Sequence, residues 1–221
     1  GNQITSIHAG IEIPAMGKTE LLSWTAPDGK EIEGLLTYPI DYQEGFSYPT
    51  ILNVHGGPSG VYTERFTGGP DIYMAQYFAQ NGYAILRPNP RGSTGYGYEF
   101  REATALDWGQ GDLQDLLAGL DLVIEMEIGD SDNQFLMGWS YGGYMTSWTV
   151  GHTNRFKAAV VGAPCINLHS MYGTSDIGIS FGEAQWGGSI ADAAGKMLER
   201  SPITYAANVD TPVLLLHGDA D

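Results

Sequence analysis

The segment Gln134-Phe135-Leu136-Met137-Gly138-Trp139-Ser140-Tyr141-Gly142-Gly143-Tyr144-Met145 constrains this chain more than any other: an apolar run breaks into Gly-x-Ser-x-Gly and resumes as a helix-compatible stretch. A serine on a sharp strand-to-helix turn needs small residues two places before and two places after it. There, Cβ atoms would collide. Gly138 and Gly142 meet that need, and the segment predicts a strand, a nucleophile elbow and a helix, with Ser140 as the candidate nucleophile.

Spacing alone does not decide the matter. The chain has 31 glycines in 221 residues, about twice ordinary usage, so the bare pattern arises by chance in roughly one such chain in four. It recurs as Gly178-Ile179-Ser180-Phe181-Gly182, where the preceding Tyr172-Gly173-Thr174-Ser175-Asp176 is turn chemistry and Gly187-Gly188 soon interrupts any helix. Context therefore selects Ser140 over Ser180.

Around the elbow, short apolar runs alternate with helical patterns. Glu20–Trp24 and Glu31–Tyr38, joined through Asp28-Gly29, read as a hairpin. Thr50–His55, Tyr83–Arg87, Ala158–Val161 and Val213–Leu216 suit buried parallel strands. Asp71–Gln80 is helix-like, and a second helix starts from Asp112 as N-cap, carries Leu113, Leu116, Leu117, Leu120, Val123 and Ile124 on one face, and is capped by Gly129. This order predicts one α/β domain, a mostly parallel sheet with helices on both faces, spanning 19–221 after a connecting segment at 1–18.

A net charge of −16 with ten Lys and Arg disfavours nucleic acid and anionic membranes as partners. Cys165 is the single cysteine, so an internal disulfide and a cysteine metal cage are excluded, in keeping with a reducing, cytoplasmic setting. No apolar run reaches membrane-spanning length, and neither a metal nor an organic cofactor is expected.

Acyl transfer to a serine places negative charge on the carbonyl oxygen, which backbone N–H groups must already face. One donor belongs to the residue after the nucleophile, Tyr141. A second is expected from a glycine-rich loop after an earlier strand, where His55-Gly56-Gly57-Pro58 stands, and is assigned to Gly57. His55, at a strand end before the nucleophile, is read as shaping that loop rather than as a general base. The acid is expected beyond a later strand, within His217-Gly218-Asp219-Ala220-Asp221.

Four ordered motifs, Val54-His55-Gly56-Gly57-Pro58, Asn89-Pro90-Arg91-Gly92-Ser93-Thr94-Gly95-Tyr96-Gly97, Gly138-Trp139-Ser140-Tyr141-Gly142-Gly143-Tyr144-Met145 and Leu215-Leu216-His217-Gly218-Asp219-Ala220-Asp221, resemble the prolyl oligopeptidase family of serine peptidases. Its acylaminoacyl-peptidase and dipeptidyl-peptidase-like branch is the nearest in look. The resemblance runs from about Thr19 to the last residue and implies an α/β-hydrolase fold acting on short peptides. It makes Ser140 the nucleophile, Gly57 and Tyr141 the oxyanion donors and Asp221 the triad acid, with Asp219 a turn residue.

Other branches of the family place an oxyanion-hole tyrosine where this chain has His55. The segment Ala163–Leu168 matches the one that lines the family's first specificity pocket, making Cys165 and Leu168, with Tyr172 behind them, candidate substrate contacts, and the apolar character of Cys165, Leu168 and Tyr141 predicts an uncharged, hydrophobic residue on the acyl side of the cleaved bond. Arg91 is expected to anchor its loop. The family pattern also places a β-propeller before the domain, and a further strand and the triad histidine after the acid. The chain is therefore expected to be an interior piece of a longer peptidase, inactive alone, with the propeller and the C-terminal segment as its missing partners. His8, His55, His152, His169 and His217 all precede Asp221. Truncation would leave an unpaired sheet edge open to self-association. A carboxylesterase and a catalytically dead binding or assembly domain are the alternatives.

Overall fold

The computed structural model describes residues 4–7 and 9–221, so His8 lies outside the described residues. Among the described residues seven strands form one sheet: β1 Thr19–Thr25, β2 Glu31–Thr37, β3 Tyr48–Val54, β4 Ala84–Asn89, β5 Gly129–Trp139, β6 Ala158–Gly162 and β7 Val213–Leu216. The helices are α1 Ala75–Gln80, α2 Tyr98–Arg101, α3 Gly111–Glu125, α4 Tyr141–Val150, α5 Leu168–Thr174, α6 Gly182–Trp186 and α7 Ile190–Glu199, with 3-10 turns at Glu102–Thr104 and Pro202–Asn208.

The spatial order is β1-β2-β4-β3-β5-β6-β7. β1 and β2 form the antiparallel hairpin, β2 continues antiparallel onto β4, and every later pairing is parallel. Gly29, at φ +87°, closes the hairpin and donates its N–H to the Ala26 carbonyl at 2.8 Å. A left-handed residue is what such a turn demands. The order reverses at β3, which has β4 on one side and β5 on the other. In open α/β sheets, crevices form outside the strand carboxyl ends at such a reversal.

Side chains alternate across the sheet because successive strand residues point to opposite faces. Leu52, Leu86 and Leu136 join Leu116 and Leu120 of α3 and Tyr144, Met145 and Trp148 of α4 in the main core. Ile51, Ile85 and Met137 face the other way and pack with Ala75 and Ala79 of the short α1. Helices thus cover both faces, as the alternating pattern predicts. Residues ahead of β1 lie against α1, where Gly17 exchanges backbone hydrogen bonds with the buried amide of Gln76. The terminal strand β7 exposes all four residues.

Three local expectations change. The helix expected over Asp71–Gln80 begins only at Ala75, because Asp71 accepts from Arg65 Nη2 at 3.0 Å and Tyr73 sends its hydroxyl to the Gly138 carbonyl at 3.1 Å. Asp112 is not the N-cap of α3. The helix starts one residue earlier, and Asp112 lies in its first turn, accepting from the backbone N–H of Gly109 and of Leu113. Gly129 does not cap α3 either, since Glu127 takes the left-handed conformation at φ 60° and Gly129 already belongs to β5.

Candidate active site

Ser140 stands between β5 and α4 with φ 60° and ψ −120°, in the left-handed region, and is exposed. A non-glycine residue held there is strained, and the surroundings must hold it. They do so by close packing. A Cβ on Gly138 would sit 2.3 Å from the Gly142 carbonyl oxygen, and one on Gly142 would sit 2.1 Å from that of Val54. The Ser140 N–H donates to the Gly162 carbonyl at 2.9 Å, tying the turn to β6. Ser180, by contrast, lies exposed in a run of turns before α6, with no strand leading into it.

Two backbone segments converge on Ser140. The Gly56 position approaches within 3.4 Å of Ser140 Cβ, measured from where its own Cβ would be, and Gly57 follows, exposed, at φ +132°. Tyr141 opens α4, so its N–H belongs to the first turn, which has no intrahelical acceptor. Among the described residues, neither this N–H nor that of Gly57 donates to a loop or cap carbonyl.

The Tyr141 side chain turns away from the site. It is buried, its ring packs edge-on to Trp108 at 4.8 Å, and its hydroxyl donates to Asp112 Oδ2 at 2.5 Å. Burial raises the Asp112 carboxyl to a pKa of about 6, against the lowering effect of the three donors that face it. His55 is buried as well. Its Nδ1 lies 2.8 Å from the Gly56 carbonyl, and since a carbonyl only accepts, Nδ1 carries a proton. Its Nε2 meets Ser93 Oγ at 2.9 Å, and Ser93 in turn reaches the Pro90 carbonyl at 2.7 Å. Burial lowers the His55 pKa. Both ring nitrogens are thus spent on loops, and His55 fastens the glycine-rich loop to the Pro90–Ser93 turn.

Arg91 is a structural anchor. Its guanidinium spans Asp115, through Nε at 2.9 Å and Nη2 at 2.7 Å, and Asp28, through Nη1 at 2.8 Å and Nη2 at 3.0 Å. Its backbone N–H also donates to Asp115. The Arg91 hydrogen bonds hold the Asp28 carboxyl down at about 2.

Asp221 follows β7. Gly162 of β6 pairs with Trp139 of β5 and with Leu216 of β7, so the turn at Ser140 and the loop from His217 leave the sheet at one level. Asp221 Oδ2 lies 3.9 Å from His217 Nε2, and both side chains are exposed. His152 contacts the Trp148 carbonyl and stacks on that indole, and His169 contacts the Ala194 carbonyl. None of the described imidazoles is hydrogen-bonded to Ser140.

The expected specificity residues diverge. Cys165 is half-buried, and burial pushes its thiol up to about 12. Leu168 is 0% exposed, part of the main core, and offers no surface to a substrate. Tyr172 donates its hydroxyl to Glu183 at 2.8 Å, which puts a carboxylate beside this candidate contact, and the Tyr141 ring, also expected at the apolar wall, is buried against Trp108 instead. Among the described residues no cluster of metal-ligating side chains occurs, and no helix is long and apolar enough to cross a membrane.

The sequence profile of the prolyl oligopeptidase family matches residues 71–221. The chain is 40% identical over 203 residues to the uncharacterized peptidase YuxL of Bacillus subtilis (strain 168), covering 91% of this chain and 30% of the relative. It is 30% identical over 201 residues to dipeptidyl-peptidase 5 of Schizosaccharomyces pombe, covering 87% of this chain and 28% of that protein. Among solved structures, Pyrococcus horikoshii acylaminoacyl peptidase superposes with a TM-score of 0.84 at 32% identity, over 96% of this chain and 33% of that one. The chain therefore spans about a third or less of the length of these relatives.

Proposed function

The chain belongs to the prolyl oligopeptidase family, and from that premise we propose that it is the catalytic portion of a serine peptidase acting on short peptides through an acyl-enzyme on Ser140. The observation that carries this reading is the exposed Ser140 at φ 60°, set between the Gly56-Gly57 loop and the first turn of α4. Ser140 Oγ attacks the peptide carbonyl carbon as its hydroxyl proton passes to a base, which returns it to the leaving amine, and the carbonyl oxygen takes up negative charge facing the N–H groups of Gly57 and Tyr141. Collapse breaks the C–N bond, the amine departs with a proton, and water then hydrolyses the ester. Asp221 is assigned to orienting a histidine base, which the family pattern places after it in the chain.

The test is labelling of the intact protein with a fluorophosphonate probe. Modification at Ser140 that is lost in Ser140→Ala is expected. Labelling that survives Ser140→Ala and disappears in Ser180→Ala would reverse the assignment.

A further inference from the structure

The face of the sheet carrying Ile51, Ile85 and Met137 is covered by α1, but that helix is only six residues long. Toward the strand carboxyl ends the same face continues as Asn53, Arg87 and Trp139, which follow in register on Leu52↔Leu86 and Val54↔Gly138. The chain from Val61 to Tyr73 arches over them and encloses a cavity of about 540 Å³. His55, Gly56 and Trp139 form its wall on the Ser140 side, so the cavity adjoins the elbow.

Two groups in this cavity are chemically incomplete. Arg87 is 4% exposed, its Nε has no hydrogen-bond partner, and its one side-chain hydrogen bond runs from Nη2 to Thr37 Oγ1 at 3.3 Å. Among the described residues no carboxylate forms an ion pair with it, and Asp71 at the cavity rim is taken by Arg65 at 3.0 Å. The guanidinium instead lies 5.4 Å from the Tyr62 ring centroid. Asn53, 3% exposed, has an Oδ1 without a donor. Buried charges are ordinarily paired and buried amides hydrogen-bonded. Arg91, on the same loop system, shows what a satisfied arginine looks like in this protein, with two carboxylates around one fork.

We infer that this cavity binds the C-terminal carboxylate of the peptide substrate, with Arg87 as the anion partner and Asn53 receiving an adjacent amide N–H. The inference rests on the peptidase reading of Ser140. Chemistry then supplies the direction. A peptide's main-chain carboxylate always lies on the leaving-amine side of the cleaved bond, so Arg87 reads the leaving fragment and favours bonds a fixed, short distance from the C-terminus. A guanidinium fork matches a carboxylate bidentately, whereas an amidated terminus leaves the fork's charge unanswered.

The experiment uses the intact protein and peptides of two, three and four residues, each made with a free C-terminus and as its amide. At one length, kcat/KM for the acid is expected to exceed that for the amide by about tenfold or more. The ratio should fall to near one in Arg87→Met and partway in Arg87→Lys, which keeps the charge but loses the fork. A ratio unchanged in Arg87→Met, or no preference at any length in the unaltered protein, overturns the inference. So does a preference that follows an acidic side chain next to the bond rather than the chain terminus.

Calorimetric binding of the same acid and amide pairs to the Ser140→Ala protein separates the two readings. An acid preference there that vanishes with Arg87→Met supports the cavity assignment whichever serine is the nucleophile. Retained turnover in Ser140→Ala counts against the nucleophile alone. If Arg87→Met fails to fold, the Arg87→Lys ratio decides.

Discussion

The Tyr141 hydroxyl donates to Asp112 Oδ2 at 2.5 Å, joining the first turn of the helix that follows Ser140 to the first turn of α3. Both groups are buried, and Asp112 also receives the N–H groups of Gly109 and Leu113. The backbone whose N–H is assigned to the oxyanion is thus braced by a side chain reaching the other way. Tyr141→Phe keeps the ring and removes one donor from a buried carboxylate. A loss of about 1–3 kcal/mol in unfolding free energy is expected, measured by denaturant titration.

The same carboxyl gives a pH signature. Its folded pKa of about 6 exceeds the ordinary value of 3.8, so between these limits the folded state holds the proton more tightly than the unfolded state. Stability from this group therefore falls as pH rises from about 4 to 6. Melting temperatures of the unaltered protein and Asp112→Asn, compared at each pH, should differ by an amount that changes across this window and is level above it. A constant difference from pH 4 to 6 would show that Asp112 does not titrate there.

Gly142→Ala should fail at the elbow. The added Cβ meets the Val54 carbonyl oxygen at 2.1 Å, and its nearest neighbours are all backbone of Val54 and His55, which leaves no flexible group to yield. A destabilisation on the order of 3 kcal/mol is expected, together with loss of fluorophosphonate labelling at Ser140. Thermal unfolding and labelling, measured together, check this.

Arg91→Met tests the anchor. It strands the Asp115 carboxylate, which is fully buried, and should cost about 3–5 kcal/mol. Asp28→Asn removes the half-exposed partner and should cost far less. Equal losses in the two variants, measured by urea titration, would mean that the hairpin end of the network carries the stability.

The chain of residues 1–221, purified alone, should show little peptidase turnover, because no described imidazole is hydrogen-bonded to Ser140 and a serine without a base is a weak nucleophile. Loss of a triad histidine in a comparable enzyme costs on the order of 10⁶ in turnover. Anilide hydrolysis by this chain, set against the same assay on Ser140→Ala, is the comparison, and the two rates are expected to be close. Turnover by the unaltered chain far above that of Ser140→Ala would mean that one of the described histidines reaches Ser140.

What could be read from the sequence followed from local sterics. Gly138 and Gly142 announce the elbow because no other residue fits, and Asp28-Gly29 announces the hairpin because its turn needs a left-handed residue. The strands were legible as short apolar runs, although their neighbours were not: nothing in Thr50–Val54 says that it pairs with residues 134–138. Helices α5, α6 and α7 escaped notice, since they are short, glycine-interrupted and partly exposed. Leu168 became a pocket candidate through the family resemblance of Ala163–Leu168, and a matched segment does not tell whether an apolar side chain in it faces a substrate or the core. Asp112 read as a cap for a similar reason, its partner Tyr141 being 29 positions away with no periodicity to signal it. Arg87 looked like one polar residue in a strand, and only the enclosing Val61–Tyr73 arch makes its missing partner visible.

The sheet order has a consequence for how the polypeptide is made. The hairpin β1–β2 can form as soon as it is synthesised, but β3 must wait for β5, and everything between Val54 and Phe135 has to be in place first. Such distant parallel pairing is slow, because loop closure is paid before the contacts reward it. During that wait β3 has an unfilled edge and the Gly56-Gly57 loop has no serine beneath it. A nascent chain stalled before Gln134 would therefore expose an unpaired edge along Ile51, Leu52 and Val54, a natural target for chaperones, and Ser140 would reach its strained conformation only as the central strand pair closes.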